Sequence, residues 1–117
     1  MFQSILARLV TRSGARWAMI VGSDGVLLET HNQAFRSKAE GLAAIYATLS
    51  RALWKTAADT DMGALQDFQL TTEEGKILIR PLTGEYCLIM SLERESLSGK
   101  ALFEISRASG RLERELS

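Results

Sequence analysis

Few residues in the sequence combine the chemistry and the spacing of an active site. His31 is the single histidine and Cys87 the single cysteine. A metal site needs several such ligands close together, and a nucleophilic cysteine needs a base beside it. His31 is therefore expected to be an exposed loop residue and Cys87 a core thiol. Because no nucleophile-elbow motif or serine–histidine pairing appears either, the sequence predicts no catalytic residue, no metal and no enzymatic activity.

Two Gly-Lys pairs and two nearby aspartates also fall short of known binding motifs. Gly75-Lys76 and Gly99-Lys100 lack the upstream glycine and the following Ser or Thr of a phosphate-binding loop. Asp59 and Asp61 are spaced like the first calcium ligands, but the remaining ligands and the terminal Glu are missing. We interpret them as a helix-ending turn and predict no cofactor.

Length, charge and composition predict one globular domain spanning residues 1–117. The chain has 117 residues, of which 46% are hydrophobic, and its 14 basic residues balance its 14 acidic ones. Nucleic-acid binders and polybasic membrane binders usually carry a basic excess, so neither function is favoured. No apolar run approaches the roughly 20 residues that span a bilayer, which predicts no membrane insertion. The lone cysteine and the lack of a signal-peptide pattern favour a cytoplasmic location.

The first half of the chain predicts a helix, a hairpin and a long helix. Apolar residues at helical spacing run from Phe2 to Val10, and Gly14 closes this helix. Alternating apolar residues on either side of Ser23-Asp24-Gly25 predict a β-hairpin over Arg16 to Thr30. After a polar loop at residues 31–37, a helix of roughly 30 Å is predicted over about Lys38 to Ala58.

The second half predicts three strands and a final helix. The strands are centred on Phe68 to Leu70, Lys76 to Arg80 and Tyr86 to Leu92, and the helix runs from about Ser98 to Leu116. Its charged residues, Glu104 among them, are interpreted as a solvated face. Because strands apolar on both sides need cover on both faces, we predict a three-layer α+β fold. It has a five-stranded antiparallel sheet, with the long helix on one face and the terminal helices on the other, in the order α-β-β-α-β-β-β-α.

The long helix carries a wider apolar arc than one sheet contact needs, which is a little over 100°. We expect one stripe of the helix to pack on the sheet: Leu42, Ile45, Tyr46, Leu49, Ala52 and Leu53. A second stripe is expected to meet another molecule: Ala43, Ala47, Trp54 and Ala58, with Ser50 at its margin. Small alanines permit close approach, and Trp54 is typical of interface hot spots. The alternative is that alanine simply favours helix and Trp54 folds onto the edge of the core.

The order of these elements resembles the Roadblock/dynein light chain family, and in particular its bacterial MglB-type members. The stretches that carry the resemblance span nearly the whole chain: residues 14–21 running into 24–28, the Ala-rich helix at 39–53, residues 74–79, residues 86–90, and Leu97-Ser98-Gly99-Lys100. Each stretch alone is weak, because it is ordinary hairpin and core chemistry, but their order and spacing together are specific.

The resemblance implies a non-enzymatic dimeric regulator or scaffold of a small Ras-like GTPase. Some bacterial members of the family stimulate GTP hydrolysis by their partner, so the resemblance includes this activity. It implies pairing of the middle helices and of the third strands, either with a second copy or with a paralogue, which adds Phe68 and Leu70 to the interface. The paired helices would present a docking platform for the GTPase: Glu40, Ala44, Thr48, Arg51 and Lys55. Arg51 is expected to be a docking contact rather than an arginine finger, because a mid-helix residue reaches only the length of its own side chain. Stimulation would then act by reshaping the switch loops of the partner.

A different class of function stays open at this point. A profilin-like three-layer domain can also be a small-molecule sensor or a general protein-interaction module. The sensor hypothesis requires a concave pocket of several hundred cubic ångströms, whereas a filled core would exclude it.

Overall fold

The computed structural model describes residues 1–31, 35–83, 85–95 and 99–117. The elements in this part of the chain are α1 (Phe2–Ser13), β1 (Trp17–Gly22), β2 (Leu27–Thr30), α2 (Arg36–Asp59), β3 (Phe68–Thr71), β4 (Lys76–Pro81), β5 (Tyr86–Leu92) and α3 (Gly99–Leu116). This order confirms the predicted α-β-β-α-β-β-β-α fold. Three predicted features lie outside the described residues: the start of the last helix at Ser98, the turn residue Gly84 and residues 32–34 of the polar loop.

The five strands form one antiparallel sheet in the order β2-β1-β5-β4-β3. The first hairpin therefore lies at one edge, and β3, which pairs with β4, lies at the other. Gly25 in the β1–β2 turn has φ +88°, and a Cβ atom there would come within 3.3 Å of Ala44 Cα in α2. A glycine at this position lets the turn adopt a left-handed conformation and lets α2 approach it closely.

Two apolar layers lie on opposite faces of the sheet, as the alternation in the strands predicts. One face packs against α1 and α3, and its fully buried residues include Leu6, Leu9, Ile20, Leu88, Met90, Ile105 and Leu112. The other face packs against α2 through Met19, Val21, Ile79 and Ile89 together with Ala39, Ala43 and Ala47. The three-layer arrangement with the long helix alone on one face is confirmed.

The terminal helices differ from the prediction at one charged residue. Glu104 is buried between α1 and α3, and its carboxylate lies 3.9 Å from the guanidinium of Arg12. Three further arginines surround this position, and the pKa of Arg8 is lowered chiefly by Arg12 and then by Arg107. The solvated face predicted for α3 is therefore wrong at Glu104. Its partner Arg12 belongs to α1, so the pattern of α3 alone does not indicate this burial.

The carboxylates of Glu93 and Glu29 each accept hydrogen bonds from residues that are distant in sequence. Arg16 donates two hydrogen bonds of 2.7 Å to Glu93, one from Nε and one from Nη2, and links the start of β1 to the end of β5. These bonds lower the pKa of Glu93. Glu29 in β2 accepts hydrogen bonds from Gln3 in α1 and from Arg36 in α2. Burial raises the pKa of Glu29, but the backbone amide of Thr30 and these partners outweigh burial and lower it.

Candidate functional site

The residues of α2 that face the sheet are small. Ala39, Ala43, Ala47 and Ser50 are the buried residues of this helix, and they repeat at intervals of three or four. Small side chains let the helix axis come close to the strands. The interface predicted at Ala43, Ala47 and Ser50 is therefore wrong, because these side chains pack inside the protomer and offer no surface to a second protein chain.

The stripe that was expected to lie on the sheet does so in part, since four of its six residues, Tyr46 among them, pack against the sheet-side cluster. Ile45 is 61% exposed, Ala52 is exposed, and Leu42, Leu49 and Leu53 are half-buried at the edge of the core. Larger side chains reach the core from the flank of the helix because the alanines occupy the space directly beneath it. One side of α2 thus carries an apolar flank that the protomer does not cover.

The edge strand β3 carries further apolar side chains on the α2 face of the sheet. Phe68 is half-buried and pairs with Ile79, and Leu70 is 46% exposed and pairs with Ile77. Phe68 and Ile77 belong to the same apolar cluster as Leu49 and Leu53. We refer to Ile45, Leu49, Leu53, Phe68 and Leu70 together as the α2–β3 face.

The residues predicted to form a docking platform are all exposed on α2: Glu40, Ala44, Thr48, Arg51 and Lys55. Several of them bond within the protomer, as Lys55 does to Asp59 at 2.9 Å and Glu40 does to Arg36 at 3.4 Å. Arg51 donates from Nη1 to the carbonyl of Ser23 in the β1–β2 turn, and from Nη2 to Thr48 Oγ1 at 3.3 Å. The guanidinium is therefore held against the turn of its own protomer.

A cavity of about 220 Å³ opens on the other flank of α2. It lies where the helix crosses the end of β1 and the start of β5, and its lining residues are Val21, Gly22, Ser23, Ala47, Ser50, Arg51, Trp54, Pro81, Glu85, Tyr86 and Cys87. Trp54 is 49% exposed and forms part of this lining. Sequence reasoning missed the cavity, because its walls come from strands and a helix that are far apart in the chain.

Two small polar groups line the cavity. The hydroxyl of Ser50 is buried and has no hydrogen-bond partner among the described residues. Burial raises the pKa of the Cys87 thiol, and the neighbouring Ser50 hydroxyl offsets part of that rise. Cys87 is therefore protonated near neutral pH and is half-buried rather than fully enclosed.

The remaining chemical candidates are separate from this region. His31 is half-buried, not exposed as predicted: its backbone amide donates to Ala18 at 3.0 Å, and its Nδ1 is buried without a partner among the described residues. Asp59 ends α2, and Asp61 has φ 57°, which confirms the predicted turn. Within the part of the chain that the structure describes, no group of three or more His, Cys, Asp or Glu side chains could hold a metal ion. None of the described helices has both the length and the hydropathy to cross a membrane.

Comparison with known proteins places this architecture in a family. Residues 1–91 match the family model described as the Roadblock/LC7 domain. Myxococcus xanthus MglB superimposes with a TM-score of 0.90 at 16% identity, over 98% of this chain and 94% of that one. The gliding protein MglB from Thermus thermophilus gives 0.83 at 20% identity, over 97% and 86%. A structure described as MglB with tetrameric arrangement gives 0.83 at 19% identity, over 97% and 85%. No curated protein matches the chain in sequence.

Proposed function

The chain belongs to the Roadblock/LC7 family, and from this premise we propose that it is a non-enzymatic regulator or scaffold that dimerises and docks a small Ras-like GTPase in the cytoplasm. The observation that carries the proposal is the edge position of β3, whose Phe68 packs in the same apolar cluster as Leu49 and Leu53 of α2. The structural likeness to MglB proteins supports the same role, since the family resemblance implies GTPase regulation.

The α2–β3 face supports pairing with a second copy or with a paralogue. The outer edge of β3 has free backbone donors and acceptors on the described sheet, and exposed edge strands of this kind invite pairing with another strand. Ile45 is 61% exposed, so burying the rest of its side chain would contribute about 1–2 kcal/mol before the cost of association. In a two-fold arrangement, β3 would meet β3 and the flank of α2 would meet its equivalent, so one contact would cover both features.

The interface in this proposal differs from the one that the sequence predicted. Phe68 and Leu70 are retained, and Ile45, Leu49 and Leu53 take the place of Ala43, Ala47 and Ser50. Trp54 and Ala58 are exposed but lie on the side of α2 that carries the cavity. The neutral net charge of the chain adds no long-range repulsion between copies.

A pair of substitutions tests which flank of α2 forms the interface. Ile45→Glu is expected to convert the dimer to a monomer at micromolar concentration, because it places a charge within an apolar contact. Trp54→Glu changes a similarly exposed residue on the opposite flank and is expected to leave the mass unchanged. Light scattering coupled to size-exclusion chromatography measures both. Dissociation by Trp54→Glu with no effect of Ile45→Glu would assign the interface to the other flank.

The docking platform would be formed by the outward residues of two paired α2 helices: Glu40, Ala44, Thr48, Arg51 and Lys55. A binding assay against the Ras-like GTPase encoded nearest to this gene, loaded with a GTP analogue and then with GDP, tests this part. We expect binding to differ between the two states, because the switch loops differ in structure. Absence of binding in both states would contradict the proposal.

The cavity beside Ser50 favours a second candidate function, the binding of a small molecule. Its volume is below the roughly 300–1,000 Å³ of most drug-sized ligand sites, so a small ligand is required.

A further inference from the structure

The cavity beside α2 has the composition of a binding site for a small aromatic molecule. We propose that it binds a small, uncharged, planar molecule, a single aromatic ring that carries one hydrogen-bonding group. The size of the cavity and the groups on its wall support this ligand class. Its position relative to the α2–β3 face keeps it open in the proposed dimer. Binding of this kind does not depend on the proposed interaction with a GTPase.

The hydroxyl of Ser50 supplies the polar contact. Ser50 is 8% exposed and lines the cavity, and its hydroxyl has no well-formed hydrogen bond within the described residues. The polar group beside it is the Cys87 thiol, which is a weak partner. A buried hydroxyl without a partner is unfavourable, and native proteins rarely retain one without a reason. The Ser50 oxygen is closed to solvent in this structure, so the proposal includes a rotation of its side chain toward the cavity. A ligand that then brings one donor or acceptor to the hydroxyl would remove this cost on binding.

The walls suit a planar apolar ring. Trp54 and Tyr86 contribute aromatic side chains, while Val21, Ala47 and Pro81 contribute aliphatic surface. Aromatic rings pack well on other aromatic faces, and the Cys87 sulfur adds a polarizable contact. A volume of about 220 Å³ is below the roughly 300–1,000 Å³ of drug-sized ligand sites, which limits the ligand to about one ring with a short substituent.

The charges around the cavity argue against an ionic ligand. The polar groups of its inner wall are neutral, since Ser50 is a hydroxyl and Cys87 is a protonated thiol. At the rim, the guanidinium of Arg51 already donates to the Ser23 carbonyl and to Thr48. Glu85 is exposed at the same rim and opposes the charge of Arg51. An ion bound against the inner wall would lose its hydration beside groups that are neutral.

Dimerisation through the α2–β3 face would leave the cavity open. Ala47, Ser50 and Trp54 lie on the sheet-facing side of α2, in the half of the helix that borders the cavity. Ile45 and Leu49 lie about a quarter of a turn or more around the helix from them. The ligand site and the proposed interface therefore occupy different sides of one helix.

A set of four matched probes tests the proposal on the full chain. Benzyl alcohol has the ring and the hydroxyl, toluene lacks the hydroxyl, and benzoate and benzylamine carry opposite charges. We expect benzyl alcohol to bind saturably and to change tryptophan fluorescence through Trp54, and toluene to bind about three- to tenfold more weakly. Benzoate and benzylamine are expected to bind more weakly than benzyl alcohol.

Ser50→Ala separates hydrogen bonding from simple partition into an apolar space. In this variant, benzyl alcohol and toluene are expected to bind with equal affinity, because the group that distinguishes them is gone. Ser109→Ala is the matched control: Ser109 is buried in α3 on the other face of the sheet, where its hydroxyl donates to the Ile105 carbonyl at 2.8 Å. This control is expected to keep the preference for benzyl alcohol.

Alkylation of Cys87 gives a second readout. Because the chain has one cysteine, the rate of its reaction with iodoacetamide reports on the cavity alone. Saturating benzyl alcohol is expected to slow alkylation, with half-protection at the concentration that half-saturates the fluorescence change. Lack of saturable binding by all four probes, tighter binding of benzoate, or an unchanged preference in Ser50→Ala would each overturn the proposal.

Discussion

At the residue scale, Arg51 limits how the protein could act on a GTPase. An arginine finger must leave its own protomer and reach the transferring phosphoryl group, and its loss lowers hydrolysis by about 10³–10⁵-fold. Arg51 is held by the Ser23 carbonyl and by Thr48 at the β1–β2 turn. This position favours the proposed role of Arg51 as a docking contact over a role as an arginine finger.

We therefore expect Arg51→Ala to weaken GTPase binding several-fold and to reduce maximal stimulation of hydrolysis by less than tenfold. Single-turnover hydrolysis at saturating concentrations of the protein measures the second quantity separately from affinity. Lys100→Ala, which removes an exposed cation from α3 on the other face of the sheet, serves as the control and should have no effect. A thousandfold loss for Arg51→Ala would show that it acts as a finger.

The ion pair between Arg16 and Glu93 gives a pH-dependent prediction at the same scale. Because the pKa of Glu93 is lowered in the folded state, this pair stabilises the fold above the unfolded pKa of a glutamate, and the contribution is lost as pH falls through the folded pKa. Glu93→Gln is expected to be less stable than the wild type at pH 7, and the two should converge in strongly acidic buffer. Urea unfolding between pH 7 and pH 3 measures the difference. A difference in unfolding free energy that stays constant over this range would contradict the prediction. Glu115→Gln, at an exposed position at the end of α3, is the control and should show no such pH-dependent difference.

At the element scale, the rotation of α2 about its own axis decides which residues are available for function. Ala39, Ala43 and Ala47 let the helix sit close to β1 and β5, and the larger residues are displaced to its flanks. A sheet contact through leucines would place the helix further out and would bury Ile45 instead.

A substitution of one buried and one exposed alanine tests this rotation. Ala43→Leu is expected to lower the free energy of unfolding by about 1–3 kcal/mol, because it adds volume beneath the helix. Ala58→Leu, at an exposed position of the same helix, is expected to change it by less than about 0.5 kcal/mol. Urea unfolding at one fixed protein concentration compares the two. The opposite ranking would favour the stripe assignment that the sequence predicted.

At the scale of the whole molecule, the proposed dimer makes stability depend on concentration. If folding and association are linked, each tenfold rise in concentration stabilises the dimer by about 1.4 kcal/mol. For two chains of this size, we expect the midpoint of thermal unfolding to rise by about 3–6 °C per tenfold increase. Ile45→Glu is expected to unfold at a temperature independent of concentration. A wild-type midpoint that does not change between 1 and 100 micromolar would argue against a dimer.

The order of elements and the two faces of each strand could be read from the sequence. Alternation in Trp17–Gly22 and Tyr86–Leu92 is a local property, because neighbouring side chains of a strand must point to opposite faces. The caps and turns were local as well, as Gly14 and Gly25 show with their positive φ angles. The exposure of Glu40, Ala44, Thr48, Arg51 and Lys55 on α2 follows from the helical periodicity as well, whereas their role in docking stays a prediction.

The tertiary structure decided how α2 is rotated against the sheet and which of its side chains are buried. A helix with an apolar arc as wide as that of α2 can dock in more than one rotation, and the choice depends on how closely the sheet lets it approach. The burial of Ala43 and Ser50, the exposure of Ile45 and the cavity beside Trp54 all follow from that choice. The burial of Glu104 beside Arg12 likewise required two helices to meet. Periodicity along one chain segment determines which side chains share a face, whereas the distance and rotation between segments arise from packing that no single segment contains.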